Sequence, residues 1–153
     1  MDIVFCHRPD FATPLEETLK AMDWVVRQGW AFYWGTSEWP VDRITKAIEI
    51  CEKRGWVKPV VEQCEYNLLV RDNMEKKLRR LFKETKYGTT IWSALASGLL
   101  SGKYNDGNIP EGSRLDTNPA AGFLLQKYFT KDKDETCAKM RKLKELADQL
   151  GTS

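Results

Sequence analysis

Four short apolar runs recur at an almost constant interval, and that interval leaves few architectures open. Ile3-Val4-Phe5-Cys6, Ala31-Phe32-Tyr33-Trp34, Val60-Val61-Glu62-Gln63-Cys64 and Thr89-Thr90-Ile91-Trp92 begin at residues 3, 31, 60 and 89, so the intervals are 28, 29 and 29 residues. Each run is short and rich in β-branched or aromatic residues, which is the signature of a buried strand. The stretches between them carry helical periodicity instead. Leu15, Leu19, Met22, Val25 and Val26 share one face of a helix predicted from Pro14 to Gln28. Val41, Ile44, Ile48 and Cys51 make a second stripe, and Met74, Leu78, Leu81 and Phe82 a third. Thr13-Pro14 followed by Glu16 and Glu17 marks a helix start, with proline in the first turn and acids at the positive end of the dipole. Gly29, Gly55 and Gly88 precede the next strand, where a left-handed cap or tight turn is expected. Strand and helix alternating at this period demand a parallel sheet covered by helices.

After Trp92 the rhythm stops. Residues 93–118 include four glycines and few large apolar groups in their second half, which predicts a long functional or mobile loop. From about Asp134 to Leu150, Cys137, Met140, Leu143, Leu146, Ala147 and Leu150 predict a final amphipathic helix with a solvated, charged face. Twenty-four Lys and Arg against twenty-two Asp and Glu leave a net charge of +2, with no basic stripe that would suit nucleic acid. No apolar run approaches the roughly 18–20 residues that span a bilayer. No signal-type segment precedes the first strand, so a reducing, cytosolic setting is expected. Cys6, Cys51, Cys64 and Cys137 lie far apart, and His7 is the only histidine, so neither a disulfide framework nor a metal site is expected.

The period matches the repeat of a (β/α)8 barrel, a fold of typically ~250 residues. Four such units predict part of a barrel: four parallel β-α units and a C-terminal helix. The chain opens on a strand and closes where another would follow, so a piece of a larger domain is expected. In parallel α/β folds the working residues collect at the carboxyl ends of the strands. Those ends read His7-Arg8-Pro9-Asp10, Gly35-Thr36-Ser37-Glu38-Trp39, Gln63-Cys64-Glu65-Tyr66-Asn67 and Trp92-Ser93-Ala94-Leu95-Ala96. His7 suits either a catalytic or a structural role. Asp10 beside Arg8 reads as a turn-fixing ion pair. Glu62 and Glu65, three apart on a strand, face opposite sides and make a poor acid–base pair. Trp24, Trp30, Trp39 and Trp56 read as packing or surface aromatics, whereas Trp92 closes a strand before a glycine-rich loop and could stack on a flat ligand. No G-x-G-x-x-G occurs. Ser97 to Tyr104 fails the P-loop pattern twice, yet its Gly-Lys stretch offers backbone N–H groups and a cation, which fits a pyrophosphate as well as an ordinary turn.

His7-Arg8-Pro9-Asp10 with Thr13-Pro14-Leu15-Glu16-Glu17-Thr18 resembles the fourth-strand motif of the aldo-keto reductases. Tyr33-Trp34-Gly35-Thr36-Ser37-Glu38-Trp39, Glu62-Gln63-Cys64-Glu65-Tyr66-Asn67 and Trp92 through Tyr104 are similar to the branch that includes the voltage-gated potassium channel β subunits. The resemblance covers essentially the whole chain, residues 1–153 forming a partial aldo-keto reductase domain without its N- and C-terminal barrel units. It implies strands four to seven of the barrel and binding of NADP(H) without a Rossmann motif. Carried over, His7 orients the substrate carbonyl, Ser37 and Gln63 bond the nicotinamide carboxamide, and Trp92 stacks on the ring. Ser93, Leu95, Ala96, Ser97 and Lys103 belong to the loop over the pyrophosphate, and Arg114 to the phosphate-bearing end.

The implied activity is reduction of a small aldehyde or ketone by hydride transfer from NADPH. The alternative is a regulatory β subunit of a potassium channel, with a homotetramer and a channel α subunit as partners. Either implies a cytoplasmic location, peripheral to the plasma membrane where a channel is bound. Two departures stand out. Glu38 occupies the place of an arginine in the animal channel subunits, which puts direct cofactor contact there in doubt, and Ala94 replaces a proline. The family's general-acid tyrosine, with its aspartate and lysine, belongs to the first three units, and the segment that grips the adenosine 2′-phosphate follows the last. Little or no turnover is expected of these 153 residues alone.

Overall fold

A computed structural model describes residues 1–118, 122–123, 126 and 133–152. It divides into two compact units, the first formed by residues 1–66 and 70–92, the second by residues 67–69 and 93–153.

The first unit carries the repeat. Strands β1 (Ile3–Cys6), β2 (Tyr33–Ser37), β3 (Val61–Glu65) and β4 (Gly88–Trp92) form one sheet in the order β1-β2-β3-β4, every pair parallel. Helices α1 (Leu15–Arg27) and α2 (Val41–Arg54) follow the first two strands. The strand-and-helix alternation is that of part of a (β/α)8 barrel. Its core lies between the sheet and the helices, where Trp34 and Cys64 of the strands meet Leu19, Ile44, Ile48, Cys51, Leu78 and Leu81. The apolar stripes thus bury the faces assigned to them. At β2 the structure runs two residues later than the apolar pattern, because Ala31 and Phe32 precede the first paired residue. Gly35 faces Val61 across the sheet, and a Cβ there would lie 2.5 Å from Val61 Cγ1 and 2.6 Å from the Val61 carbonyl oxygen. Only a glycine permits that close approach.

The third helical stripe is broken. Asn73–Lys77 form a π-helical turn, and α3 (Arg79–Thr85) begins only after Leu78. Glycine roles also differ from expectation. Gly55 caps α2 in the left-handed conformation at φ 65° and Gly29 has φ 74°. Gly88 is instead the first residue of β4, and Lys86 at φ 54° makes the left-handed turn after α3.

The long loop expected after Trp92 lies in the second unit and holds short helical elements. A 3-10 segment (Ala96–Ser101), a short α4 (Arg114–Thr117) and the long α5 (Lys133–Gln149) surround their own core. Ala96, Leu99, Tyr104, Leu115, Cys137 and Met140 form it, with Leu69 packed alongside. Few large groups suffice because Tyr104 is fully buried at its centre. Burial raises the thiols of Cys6 and Cys64 and pushes Cys51 up to about 11, so these three stay protonated at neutral pH; all four cysteines are free. Among the described residues no helix is long and apolar enough to cross a membrane.

Candidate functional site

The parallel register sets the strand ends of the first unit side by side. Cys6 pairs with Thr36, Ser37 with Gln63, Gln63 with Thr90, and Glu65 with Trp92. In a parallel ladder, paired residues present their side chains on the same face. Ser37, Gln63 and Thr90 therefore line one row, and His7 follows the last residue of β1 at the same end. The four residues singled out on the first unit, His7, Ser37, Gln63 and Trp92, all stand at the carboxyl end of the sheet.

Hydrogen bonds tie the row together. The Ser37 hydroxyl donates to the Gln63 carbonyl oxygen at 3.1 Å and accepts from Arg8 Nη1 at 3.0 Å. Gln63 Nε2 donates to Thr90 Oγ1 at 3.3 Å. Trp92 Nε1 donates to Glu38 Oε1 at 2.8 Å, and the same oxygen accepts the Glu65 N–H at 2.7 Å. Ser37 is 1% exposed, while His7 is exposed and Trp92 is 36% exposed, leaving part of the indole open at the strand end. Glu38 also stands in the wall of a cavity of about 820 Å³, with Trp39, Val41, Glu65, Val70 and Lys77.

Arg8 does not pair with Asp10 in the way its neighbour in sequence suggests. Its guanidinium reaches Ser37 and the His7 carbonyl. Asp10 instead accepts from Ala12 N–H at 2.8 Å and from the Thr13 hydroxyl at 2.6 Å, and these bonds hold its carboxyl below the usual range. The turn is fixed by side-chain capping rather than by charge pairing. Arg8 and Glu38 are the two members of the site that spacing alone did not single out. Glu38 sits one residue beyond a strand end and Arg8 two, which is the available signal.

Behind the row, on the helix-covered face, Glu62 is fully buried. The Thr36 hydroxyl and the Trp39 N–H donate to its two oxygens, and the Tyr87 hydroxyl lies 2.9 Å from Thr36 Oγ1. Burial, only partly opposed by these bonds, pushes the Glu62 carboxyl up to about 7.

In the second unit, Ser93 has φ 60°, Ala96 47° and Ser97 59°, all non-glycine residues in the left-handed region, followed by Gly98 at 99° and Gly102 at 83°. Each non-glycine residue so held costs about 1–2 kcal/mol. Such strain collects where the backbone must present itself in a particular way. Leu95, at φ −102° and ψ 17°, precedes left-handed Ala96. The Ala96 N–H closes this turn by donating to the Ser93 carbonyl oxygen at 2.8 Å. Asn67 Nδ2 donates to the Ser93 carbonyl oxygen at 3.0 Å, anchoring the start of the loop. A Cβ on Gly98 would meet the Tyr104 ring at 3.2 Å, so the loop is drawn tightly over that aromatic. Leu95, Lys103 and Arg114 are exposed, whereas Ala96 and Ser97 are buried.

Known proteins resemble this chain in sequence and in fold. The sequence model of the aldo/keto reductase family matches residues 1–153. A protein of Oryza sativa subsp. japonica named as a probable voltage-gated potassium channel subunit beta is 45% identical over the whole chain, which covers 45% of it. One of the same name in Arabidopsis thaliana is 43% identical, with 45% of it covered. A putative voltage-gated potassium channel subunit beta of Schizosaccharomyces pombe is 42% identical, with 44% covered. The chain therefore spans less than half the length of these relatives. The solved structure of a glycerol dehydrogenase from Gluconobacter oxydans superposes with a TM-score of 0.72 at 23% identity, over all of this chain and 43% of that one, a likeness of fold. The chain belongs to the aldo/keto reductase family.

Proposed function

We propose that this chain is the cofactor-holding portion of an NADP(H)-dependent oxidoreductase that reduces small aldehydes or ketones. The observation that carries the reading is that Ser37, Gln63 and Trp92 lie on one face at the carboxyl ends of neighbouring strands, two polar side chains and a partly open flat ring. A second ground is the loop after Trp92, whose backbone is held in the left-handed region at Ser93, Ala96 and Ser97 and which carries the exposed cation Lys103.

When bound, the cofactor supplies a hydride to the carbonyl carbon. Ser37 and Gln63 offer a hydroxyl and an amide to the carboxamide and so select which ring face is presented. Trp92 excludes water from one face of the ring. Arg8, bonded to Ser37, holds that hydroxyl in place and adds positive charge beside it. His7 offers a ring N–H toward the carbonyl oxygen. Ser93, Leu95, Ala96 and Ser97 belong to the loop that would cover the pyrophosphate, and Lys103 and Arg114 add cations for its phosphates. The proton donor, by family resemblance, belongs to β-α units outside these 153 residues. General acid help is worth about 10²–10⁴-fold, so the chain alone turns over little.

The test is fluorescence titration of the purified chain with NADPH and with NADH, beside an aldehyde-reduction assay. Saturable NADPH binding that Trp92→Ala weakens, with near-background turnover, is the expected result. Absence of binding, or binding unaffected by Trp92→Ala, overturns the cofactor reading.

A second reading is favoured by the names of the relatives: a cytoplasmic β subunit, tetrameric and docked peripherally on a voltage-gated potassium channel, with little catalysis. Co-purification of the full-length protein with a channel α subunit, from cells that produce both, separates it from a free enzyme.

A further inference from the structure

We infer that Glu38 is a positioning residue that fixes the ring of Trp92 at the mouth of the site. The purpose of that positioning rests on the cofactor reading above; the contact itself does not.

Trp92 ends β4, which among the described residues has a sheet neighbour on one side only, and it is 36% exposed. Packing alone does not define the orientation of a partly exposed indole, which turns about two side-chain torsions. Its one polar atom does. Nε1 donates to Glu38 Oε1 at 2.8 Å, within the range of charge-assisted N–H···O bonds. Glu38 is anchored at both ends. Its backbone N–H donates to the Gln63 carbonyl oxygen at 3.1 Å, and the oxygen that holds Trp92 also accepts the Glu65 N–H at 2.7 Å. One side chain leaving β2 thereby ties the ends of β3 and β4.

The backbone adds an independent indication. Glu38 has φ 54°, where glycine is free of strain and glutamate is not. A glycine here would relax the turn but could not hold the indole. The strained glutamate is explained by what its side chain does. Oε1 accepts both N–H groups, so the one oxygen holds the indole and the end of β3 together.

The test uses the full chain labelled with ¹⁵N at tryptophan. Trp92→Phe assigns the Trp92 indole N–H signal by its disappearance. In the wild type that N–H exchanges slowly with solvent. In Glu38→Gly, which removes the side chain and suits the left-handed backbone, it exchanges faster by roughly tenfold. Glu38→Gln keeps an acceptor oxygen and restores slow exchange. In NADPH titrations Glu38→Gly weakens binding about three- to tenfold, and Glu38→Gln recovers most of the loss. Once Trp92 is Phe, which cannot donate, adding Glu38→Gly weakens binding no further.

Unchanged exchange in Glu38→Gly overturns the proposal, as do losses that simply add in the Trp92→Phe/Glu38→Gly double variant. A wild type that binds no NADPH, yet shows Glu38-dependent protection of the indole N–H, supports the contact and overturns the nicotinamide reading instead.

Discussion

Two buried positions show how much a single side chain decides. Glu62 carries a carboxyl pushed from 4.5 up to about 7 by burial, so the folded chain keeps it protonated where the unfolded chain would ionise it. Its stabilising effect is complete below about pH 4.5, erodes as pH rises, and is gone above about 7. The slope is at most about 1.4 kcal/mol per pH unit. Thermal unfolding between pH 5 and 7.5 should show falling stability in the wild type and a flatter profile in Glu62→Gln, which keeps acceptors and donors without the charge. Parallel profiles would remove Glu62 from the account. Gly35 is decided by space. Alanine there must displace the Val61 carbonyl, and overpacking of that kind costs about 2–3 kcal/mol. Urea unfolding of Gly35→Ala should show a lowered midpoint; an unchanged one means the strands can part without loss.

The elements were legible to the degree that one physical rule governed each. Period and burial agree for α1 and α2, whose stripes face Trp34 and Cys64 and whose ends carry glycines at positive φ. The strand-end row was legible for the same reason, since a parallel register leaves Ser37 beside Gln63 no choice of face. Where two rules competed, the sequence was silent. Nothing in Met74, Leu78, Leu81 and Phe82 distinguishes an unbroken helix from the π turn and short α3 that occur. The apolar run at Ala31 begins before its strand because burial, not pairing, asks for Ala31, which is 2% exposed. The contacts of Arg8 and Glu38 depend on side chains reaching across to other strands, a tertiary matter that spacing cannot encode. Lys86 shows the cost of a cap met by the wrong residue. Lys86→Gly should relieve its left-handed backbone and stabilise the chain by about 0.5–1 kcal/mol, raising the urea midpoint with the slope unchanged. A decrease would mean that the lysine side chain contributes more than its backbone forfeits.

Across the molecule, each unit has its own core, yet the first leaves much apolar surface in water. Trp30, Phe32 and Tyr33 are 60%, 73% and 54% exposed, and Trp24 stands edge-on to Trp30 with ring centres 4.8 Å apart. Among the described residues β1 and β4 each have a strand neighbour on one side only. Open edges and uncovered aromatic groups favour association. Sedimentation of the isolated chain should therefore show dimers or larger species at micromolar concentration, and a sharp monomeric boundary with a cooperative melt would contradict this. The chain path between the units also bears on where it can be shortened. Asn67 and Leu69 lie between β3 and the π turn, yet they belong with residues 93–153: Asn67 bonds the Ser93 carbonyl and Leu69 sits against the Tyr104 core. A stop codon after Trp92 would look like a tidy removal of the tail, but it would strand three residues upstream without the company they fold with. Parsing this polypeptide into expressible parts by counting strands would cut through a unit it meant to spare.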